Sequence, residues 1–162
     1  MPAIPRRIAV AFGSNLGDRR GAILSAAEAV RGILSNFTLS TLTETLPVGP
    51  GLEGDPLYLN AVGVGESTTP ARELLARLLA IEAAAGRTRP HPGAPRMIDL
   101  DLILAGDEVI DEPDLKVPHP RFRERGFVLA PLASLAPDLR DPVTGMTVEE
   151  LLDRLNSGGD AS

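Results

Sequence analysis

Two aspartates separated by one residue lie in an apolar, strand-like segment at residues 96–104. Side chains two positions apart on a strand point to the same face, about 7 Å from each other. Asp99 and Asp101 are therefore predicted to lie side by side, with Leu100, Leu102 and Leu104 on the opposite face. Because two such charges repel and resist desolvation unless a cation shares the site, the pair indicates Mg²⁺. The alternative is a pair of solvated carboxylates on an edge strand.

A basic loop rich in proline and glycine precedes this strand. It contains Arg87, Arg89 and Arg96 without interleaved acids. Arginine binds phosphate oxygens through two donors and neutralises the charge that spreads during phosphoryl transfer. Carboxylates that hold Mg²⁺ beside arginines that hold phosphate indicate a nucleoside triphosphate site, and the loop suits a lid. The alternative is a solvated loop that happens to be basic.

A second group of residues indicates recognition of a flat heterocycle. Strand alternation puts Tyr58 and Asn60 on one face. An aromatic ring can stack on a heterocycle while an amide, with its paired donor and acceptor, binds the polar edge. A tyrosine at the rim of the core and a solvated asparagine would give the same pattern. His119, just before three arginines at residues 121–125, is either a surface residue or a phosphate contact.

Composition limits the classes of protein that remain. The chain has 162 residues, which suits a single domain over residues 1–162 with its own core. It has no cysteine, which excludes disulfides and thiolate metal sites, and no apolar run of the roughly 20 residues that a membrane span requires. A net charge of −6 argues against a general nucleic-acid binder. The default expectations are a cytoplasmic monomer without membrane or nucleic-acid partners.

The predicted elements follow the order β-α-β-β-α-β, which indicates a ferredoxin-like α+β core. Such a core is an antiparallel sheet with helices packed on one face, here followed by a C-terminal helical extension. Asp18 is predicted to cap the first helix, and the apolar neighbours of Asp99 indicate a central strand. Residues 13–18 lack the spacing of a phosphate-binding glycine loop and are interpreted as a turn. The predicted strands cover residues 7–13, 37–45, 57–64, 99–104 and 109–110; the helices cover about 19–34, 70–86, 127–136 and 147–156, before a frayed tail at 157–162.

Together these segments resemble the 6-hydroxymethyl-7,8-dihydropterin pyrophosphokinases of folate biosynthesis. The most specific block is Pro-Arg-Met-Ile-Asp-Leu-Asp at residues 95–101, followed at the family's spacing by Pro118-His119 and Arg125-Gly126-Phe127. The resemblance runs along nearly the whole chain and includes residues 11–17, 47–50, 58–61, 81–82, 86–89, 95–103, 117–119 and 125–132.

The resemblance implies transfer of the β,γ-diphosphoryl group of ATP to the hydroxymethyl oxygen of the pterin, giving AMP and the pterin diphosphate. Asp99 and Asp101 would hold two Mg²⁺ ions and, with Arg87 and Arg96, form the implied catalytic set. Three loops near residues 14–19, 46–56 and 87–97 would close over both substrates. The implied ATP contacts are Glu82, Arg87, Arg89, Arg96, Ile103, His119 and Arg125; the implied pterin contacts are Thr45, Pro47, Val48, Tyr58, Asn60 and Phe127.

The lid departs from the family's pattern. The family usually carries Arg-Trp-Gly-Pro-Arg before the metal-binding strand, whereas residues 92–96 here are Pro-Gly-Ala-Pro-Arg. An arginine and a tryptophan are missing, which predicts a less tightly sealed site. Two other interpretations stay open: a nucleotidyltransferase, which would release pyrophosphate instead of AMP, and a non-catalytic module that binds a small metabolite.

Overall fold

The computed structural model of the protein describes residues 4–15, 18–45, 58–86 and 98–161. Among these residues, no helix is both long and apolar enough to cross a membrane. The strands are β1 (Arg6–Ser14), β2 (Ser35–Leu39), β3 (Thr43–Thr45), β4 (Tyr58–Ser67), β5 (Asp99–Ala105), β6 (Ile110–Glu112) and β7 (Leu115–Val117). The α-helices are α1 (Arg19–Arg31), α2 (Ala71–Gly86), α3 (Gly126–Leu135) and α4 (Val148–Ala161), with a 3-10 helix at Phe122–Glu124.

The main sheet is antiparallel, with the order β2-β4-β1-β5, and β3 also pairs with β4. Since α1 connects β1 to β2 and α2 connects β4 to β5, this is the predicted ferredoxin-like arrangement, and the α+β class is confirmed. The register places Gly13 of β1 between Asp99 of β5 and Asn60 of β4. Because neighbouring strands lie about 4.8 Å apart, the acidic and amide positions are separated by roughly 10 Å of backbone.

Helices α1 and α2 cover one face of the sheet because each carries an apolar stripe at helical spacing. Helix α1 begins as predicted, where the Asp18 side chain accepts the Gly21 N–H at 3.0 Å. The core on this face joins buried residues of both helices to alternate residues of β1 and β5: Ile23, Ala27, Val30, Leu74, Leu78, Ile8, Val10, Phe12, Leu100 and Leu102.

The C-terminal helices α3 and α4 cover the other face of the sheet, while the predicted packing of both core helices, α1 and α2, on one face is confirmed. The apolar side chains of α3 and α4 form a second core with Ala9, Val62 and Ile103 of the sheet. Helix α4 continues to Ala161, through most of the segment expected to be a frayed tail. The sheet therefore has both faces packed against helices, and α3 begins beside the ends of β1 and β4 that carry the candidate site.

The strand with the two aspartates is an edge strand, which corrects the prediction of a central one. Among the strands that the structure describes, β5 pairs only with β1. Its apolar composition reflects burial of both faces by helices and says nothing about the number of neighbouring strands. Backbone groups on the outer edge of β5 have hydrogen-bond partners other than a strand. The Ile103 carbonyl accepts the His119 N–H at 2.9 Å, and the Leu100 N–H donates to the Glu82 carboxylate.

The predicted strand at residues 37–45 is two strands, because Ser40 interrupts it. The Ser40 N–H donates to the Val62 carbonyl at 2.8 Å, but the Val62 N–H donates to the Ser40 Oγ at 2.9 Å. A side-chain oxygen thus takes the place of a backbone acceptor, as serine side chains can. The chain then resumes pairing with β4 at Thr43, which brings Thr45 opposite Tyr58.

Candidate active site

An open cavity of about 550 Å³ lies against the sheet face that α3 borders, within the range of small-molecule sites. Strands β1, β3, β4 and β5 form its floor, and the turn before α3 forms one wall. Among the described residues, the lining consists of Ala11, Phe12, Gly13, Thr45, Tyr58, Asn60, Ala61, Asp99, Asp101, Arg121, Glu124, Arg125, Phe127 and Val128.

The two aspartates lie on this floor, as strand alternation predicts. Asp99 and Asp101 are partly exposed and both line the cavity, while Leu100 and Leu102 are buried on the opposite face. Their neighbours on β1 are Gly13, which pairs with Asp99, and Ala11, which pairs with Asp101. The small size of these two residues leaves the carboxylates accessible.

Gly13 keeps the floor open between the acidic pair and the amide. A Cβ atom at Gly13 would lie 3.5 Å from Asn60 Oδ1 and 3.9 Å from Tyr58 Cδ1. These are ordinary van der Waals distances, so the packing of the sheet does not itself require a glycine at position 13. A larger side chain would project from here into the cavity.

Asn60 presents one polar atom, its Oδ1, to the cavity. Its Nδ2 donates to Thr45 Oγ1 at 2.7 Å and to the Thr43 carbonyl at 3.4 Å, and Asn60 is 8% exposed. The sequence predicts that both the donor and the acceptor of this amide bind ligand, but the donor is already engaged. The site therefore favours a ligand that lies between the rings of Tyr58 and Phe127 and directs N–H donors toward Asn60 Oδ1.

The turn before α3 forms a charged wall. The Arg125 guanidinium lies 5.8 Å above the Phe127 ring, a cation–π distance. Arg121 Nε lies 4.0 Å from Glu124 Oε2, and these two side chains are 68% and 72% exposed. Sequence reasoning did not place Arg121 and Glu124 in the site, because only the tertiary fold brings this turn over the sheet. The signal in the sequence that could have pointed to this turn was the arginine cluster at residues 121–125.

His119 lies beside this wall and is half-buried. Its Nδ1 accepts the Arg121 N–H at 3.2 Å, so a neutral ring carries its proton on Nε2. Burial lowers the pKa of His119 below its ordinary 6.5; the Asp101 charge opposes this shift, and the Arg125 and Arg121 charges add to it. At neutral pH the imidazole is therefore an uncharged hydrogen-bond donor, which suits a phosphate oxygen.

The middle arginine of the cluster, Arg123, has a structural role instead. Its Nε and Nη2 donate to Asp141 at 2.5 and 3.0 Å, and its guanidinium lies 4.8 Å above the Phe122 ring. Asp141 is fully buried. The structure thus divides the cluster into two arginines that face the cavity and one that anchors the C-terminal region.

Three predicted ATP contacts lie outside the cavity lining: His119, Ile103 and Glu82. Ile103 is 1% exposed and its side chain packs in the second core, so its contact with ATP stays a prediction. Glu82 contacts the strand of the aspartates, where its Oε2 accepts the Leu100 N–H at 2.7 Å. The other predicted residues, and most of the three loops expected to close, fall outside the described residues: Pro47, Val48, Arg87, Arg89 and Arg96.

The acidic pair fits a Mg²⁺ ion that is shared with a ligand. Among the described residues, no group of three or more metal-binding side chains occurs. Mg²⁺ prefers oxygen donors and is usually held by one or two carboxylates, with waters and substrate phosphates completing the octahedron. Asp99 and Asp101 supply two such carboxylates beside Arg121 and Arg125, which can neutralise a phosphate ligand.

The fold and the cavity define a ferredoxin-like α+β protein with a small-molecule site on its sheet. Residues 9–137 match the 7,8-dihydro-6-hydroxymethylpterin-pyrophosphokinase (HPPK) family. The chain therefore belongs to the HPPK family.

Individual relatives agree with this assignment. The 2-amino-4-hydroxy-6-hydroxymethyldihydropteridine pyrophosphokinase of Pseudomonas aeruginosa is 40% identical over 149 residues, which cover 91% of this chain and 90% of that protein. The folic acid synthesis protein fol1 of Pneumocystis carinii is 36% identical over 148 residues, 90% of this chain and 20% of that protein. Among solved structures, wild-type Plasmodium falciparum HPPK-DHPS superposes with a TM-score of 0.76, covering 99% of this chain and 46% of that one. At 14% identity, this last likeness supports the fold alone.

Proposed function

We propose that the protein transfers the β,γ-diphosphoryl group of ATP to the hydroxymethyl oxygen of 6-hydroxymethyl-7,8-dihydropterin, giving AMP and the pterin diphosphate for tetrahydrofolate synthesis. The observation that carries the proposal is one cavity that joins a Mg²⁺-type acidic pair to an aromatic and amide wall. Membership of the HPPK family supports the same reaction. The proposed setting is the cytoplasm, where a monomer acts on small molecules and not on nucleic acid or membranes.

The pterin occupies the Tyr58 and Phe127 side of the cavity in this proposal. Its flat ring system stacks between the two aromatic side chains. Its amino and ring N–H donors match the Asn60 Oδ1, since the Asn60 Nδ2 is held by Thr45. Pro47 and Val48 remain proposed backbone contacts.

ATP occupies the charged side. Arg125, Arg121 and the neutral His119 bind phosphate oxygens, with Arg87, Arg89 and Arg96 as proposed further contacts from the lid. Asp99 and Asp101 would hold the Mg²⁺, for which two ions are proposed. When bound, the metal neutralises phosphate charge and lowers the pKa of that hydroxyl.

The chemical step requires alignment and charge neutralisation more than covalent catalysis by the protein. The pterin oxygen forms a bond to the β-phosphorus while the bond from that phosphorus to the α,β-bridging oxygen breaks, and AMP leaves. The hydroxyl proton departs as the oxygen attacks, and Asp101 is its proposed acceptor. The arginines stabilise the charge that moves toward AMP.

Identification of the small product tests the proposal. Protein, ATP, Mg²⁺ and 6-hydroxymethyl-7,8-dihydropterin are incubated together, and phosphorus NMR follows the nucleotide. AMP and a pterin diphosphate are expected in equal amounts. Pyrophosphate in place of AMP would indicate a nucleotidyltransferase, and pterin binding without ATP consumption would indicate a metabolite-binding module.

Asn60→Ala is expected to weaken pterin binding by about 20-fold, because the ligand's N–H groups lose a buried acceptor. Binding of a nonhydrolysable ATP analogue should change less than about twofold, since β1 separates Asn60 on β4 from the acidic pair on β5. Calorimetry with each ligand measures both values. Asn156→Ala, at an exposed position on α4, is the control. Equal losses for the two ligands would contradict the assigned pocket.

Arg121→Gln is expected to weaken binding of the ATP analogue by about fivefold, because an exposed arginine contributes modestly to a polyphosphate site. The variant should also show a shallower dependence of the dissociation constant on salt. Arg77→Gln is the matched control, since Arg77 pairs with Glu73 on α2 and does not line the cavity. The same loss in both variants would show that only net charge matters.

A further inference from the structure

Glu82 is partly buried and lies in line with the buried stripe of helix α2. Leu74 and Leu78 are each 1% exposed, and Glu82 follows Leu78 by four residues, so all three lie on the same side of the helix. A carboxylate at this helical position points toward the sheet. It requires a hydrogen-bond donor there, because burying a charged group without a partner is unfavourable. The Leu100 N–H supplies that donor at 2.7 Å.

The Leu100 N–H lies on the strand that carries the acidic pair, at the outer edge of that strand. Leu100 is the residue between Asp99 and Asp101, and it lies on a strand whose outer side has no strand partner among the described residues. An N–H on such an edge needs an acceptor from elsewhere. Glu82 therefore ties the C-terminal part of α2 to the Asp99–Leu100 peptide, one of the two peptide groups that separate the acidic side chains.

We infer that Glu82 is a positioning residue for the acidic pair, an inference that rests on the proposed metal and nucleotide site. By fixing the Leu100 peptide, it sets the spacing and direction of Asp99 and Asp101 toward the cavity. Glu82 is not among the residues that line the cavity. Its proposed effect on ATP is thus indirect, through the acidic pair.

Two variants separate this role from a charge effect. Glu82→Gln keeps an acceptor for the Leu100 N–H and removes the charge, whereas Glu82→Leu has similar size and no acceptor. Glu73→Leu is the control, an exposed acid on the same helix that pairs with Arg77. Each protein is examined by amide hydrogen exchange at Leu100, by Mn²⁺ broadening of the signals of residues 99–101, and by the rate of AMP formation.

Glu82→Leu is expected to speed exchange of the Leu100 amide at least about tenfold. It should weaken Mn²⁺ binding and lower kcat by about tenfold to a hundredfold, with pterin affinity unchanged, as expected for loss of a group that orients metal ligands. Glu82→Gln should stay within about threefold of the wild type in all three measurements.

Two outcomes would overturn the inference. If Glu82→Gln is as impaired as Glu82→Leu, the effect depends on the charge of Glu82 and not on its hydrogen bond to Leu100. If Glu82→Leu keeps a slowly exchanging Leu100 amide or normal Mn²⁺ binding, the hydrogen bond does not position the pair. A wild type that forms no AMP would refute the proposed function instead, and the exchange and Mn²⁺ measurements, which need no turnover, would still decide the role of Glu82.

Discussion

Asp101→Asn is expected to lower the rate of AMP formation by about a thousandfold, and Asp99→Asn by a similar factor. Each change keeps the size of the side chain but removes one of the two charges that are proposed to hold Mg²⁺ beside the phosphates. Loss of about 4 kcal/mol of charge stabilisation in the transition state corresponds to this factor. The measurement is single-turnover AMP formation across a Mg²⁺ titration, in which the required Mg²⁺ concentration should also rise.

The fold should survive both changes. The two carboxylates face the cavity and contribute no apolar burial, so neither change removes core packing. In Asp101→Asn the loss of one charge also relieves repulsion with Asp99, and the melting temperature of this variant is expected to stay the same or rise slightly. Asp107→Asn is the matched control, since Asp107 is an exposed acid in the turn that follows β5. Near-normal turnover by either site variant at saturating Mg²⁺ would refute the metal assignment.

Asp141→Ala is expected to lower the free energy of unfolding at pH 7 by about 3 kcal/mol, because it leaves the Arg123 guanidinium without its buried partner. Asp141 is fully buried and accepts hydrogen bonds from Arg123, from the Val143 N–H at 3.0 Å and from Thr144 Oγ1 at 2.8 Å. Urea unfolding measures the change. Asp138→Ala is the control, an exposed acid paired with Arg7 on the surface, and it should cost little. A small change at Asp141 would contradict the anchoring role of this pair.

The stabilisation by Asp141 should depend on pH. Burial alone raises the pKa of the Asp141 carboxyl, but hydrogen bonds from Arg123, Thr144 and Val143 outweigh it and hold this pKa below its ordinary value of 3.8. The unfolded chain therefore binds the proton more readily than the folded protein. The contribution is complete above pH 3.8 and is lost as the pH falls through the folded pKa. The difference between wild type and Asp141→Ala should shrink in that acidic window and stay constant from pH 5 to 7.

Local patterns in the sequence predict the parts of the site that lie within one element. Alternation along β5 correctly separates Asp99 and Asp101 from Leu100 and Leu102, and the same rule puts Tyr58 and Asn60 on one face. The order of helices and strands is sufficient for the ferredoxin-like core, because connections between such elements allow few topologies.

Features that depend on tertiary contacts could not be predicted in this way. The edge position of β5 was missed because apolar residues report burial of the two faces and not the number of strand neighbours. The arginine cluster does not reveal that Arg123 pairs with Asp141 while Arg121 faces the cavity. The direction of Glu82 toward the sheet was also not predicted, although its four-residue spacing from Leu78 was a usable signal.

The most direct test of the central claim is a crystal structure with a nonhydrolysable ATP analogue, Mg²⁺ and 6-hydroxymethyl-7,8-dihydropterin. We predict Mg²⁺ bound to carboxylate oxygens of both Asp99 and Asp101, phosphates beside Arg125, and the pterin between Tyr58 and Phe127. Phosphates bound away from this cavity, or a metal that contacts neither aspartate, would contradict the account.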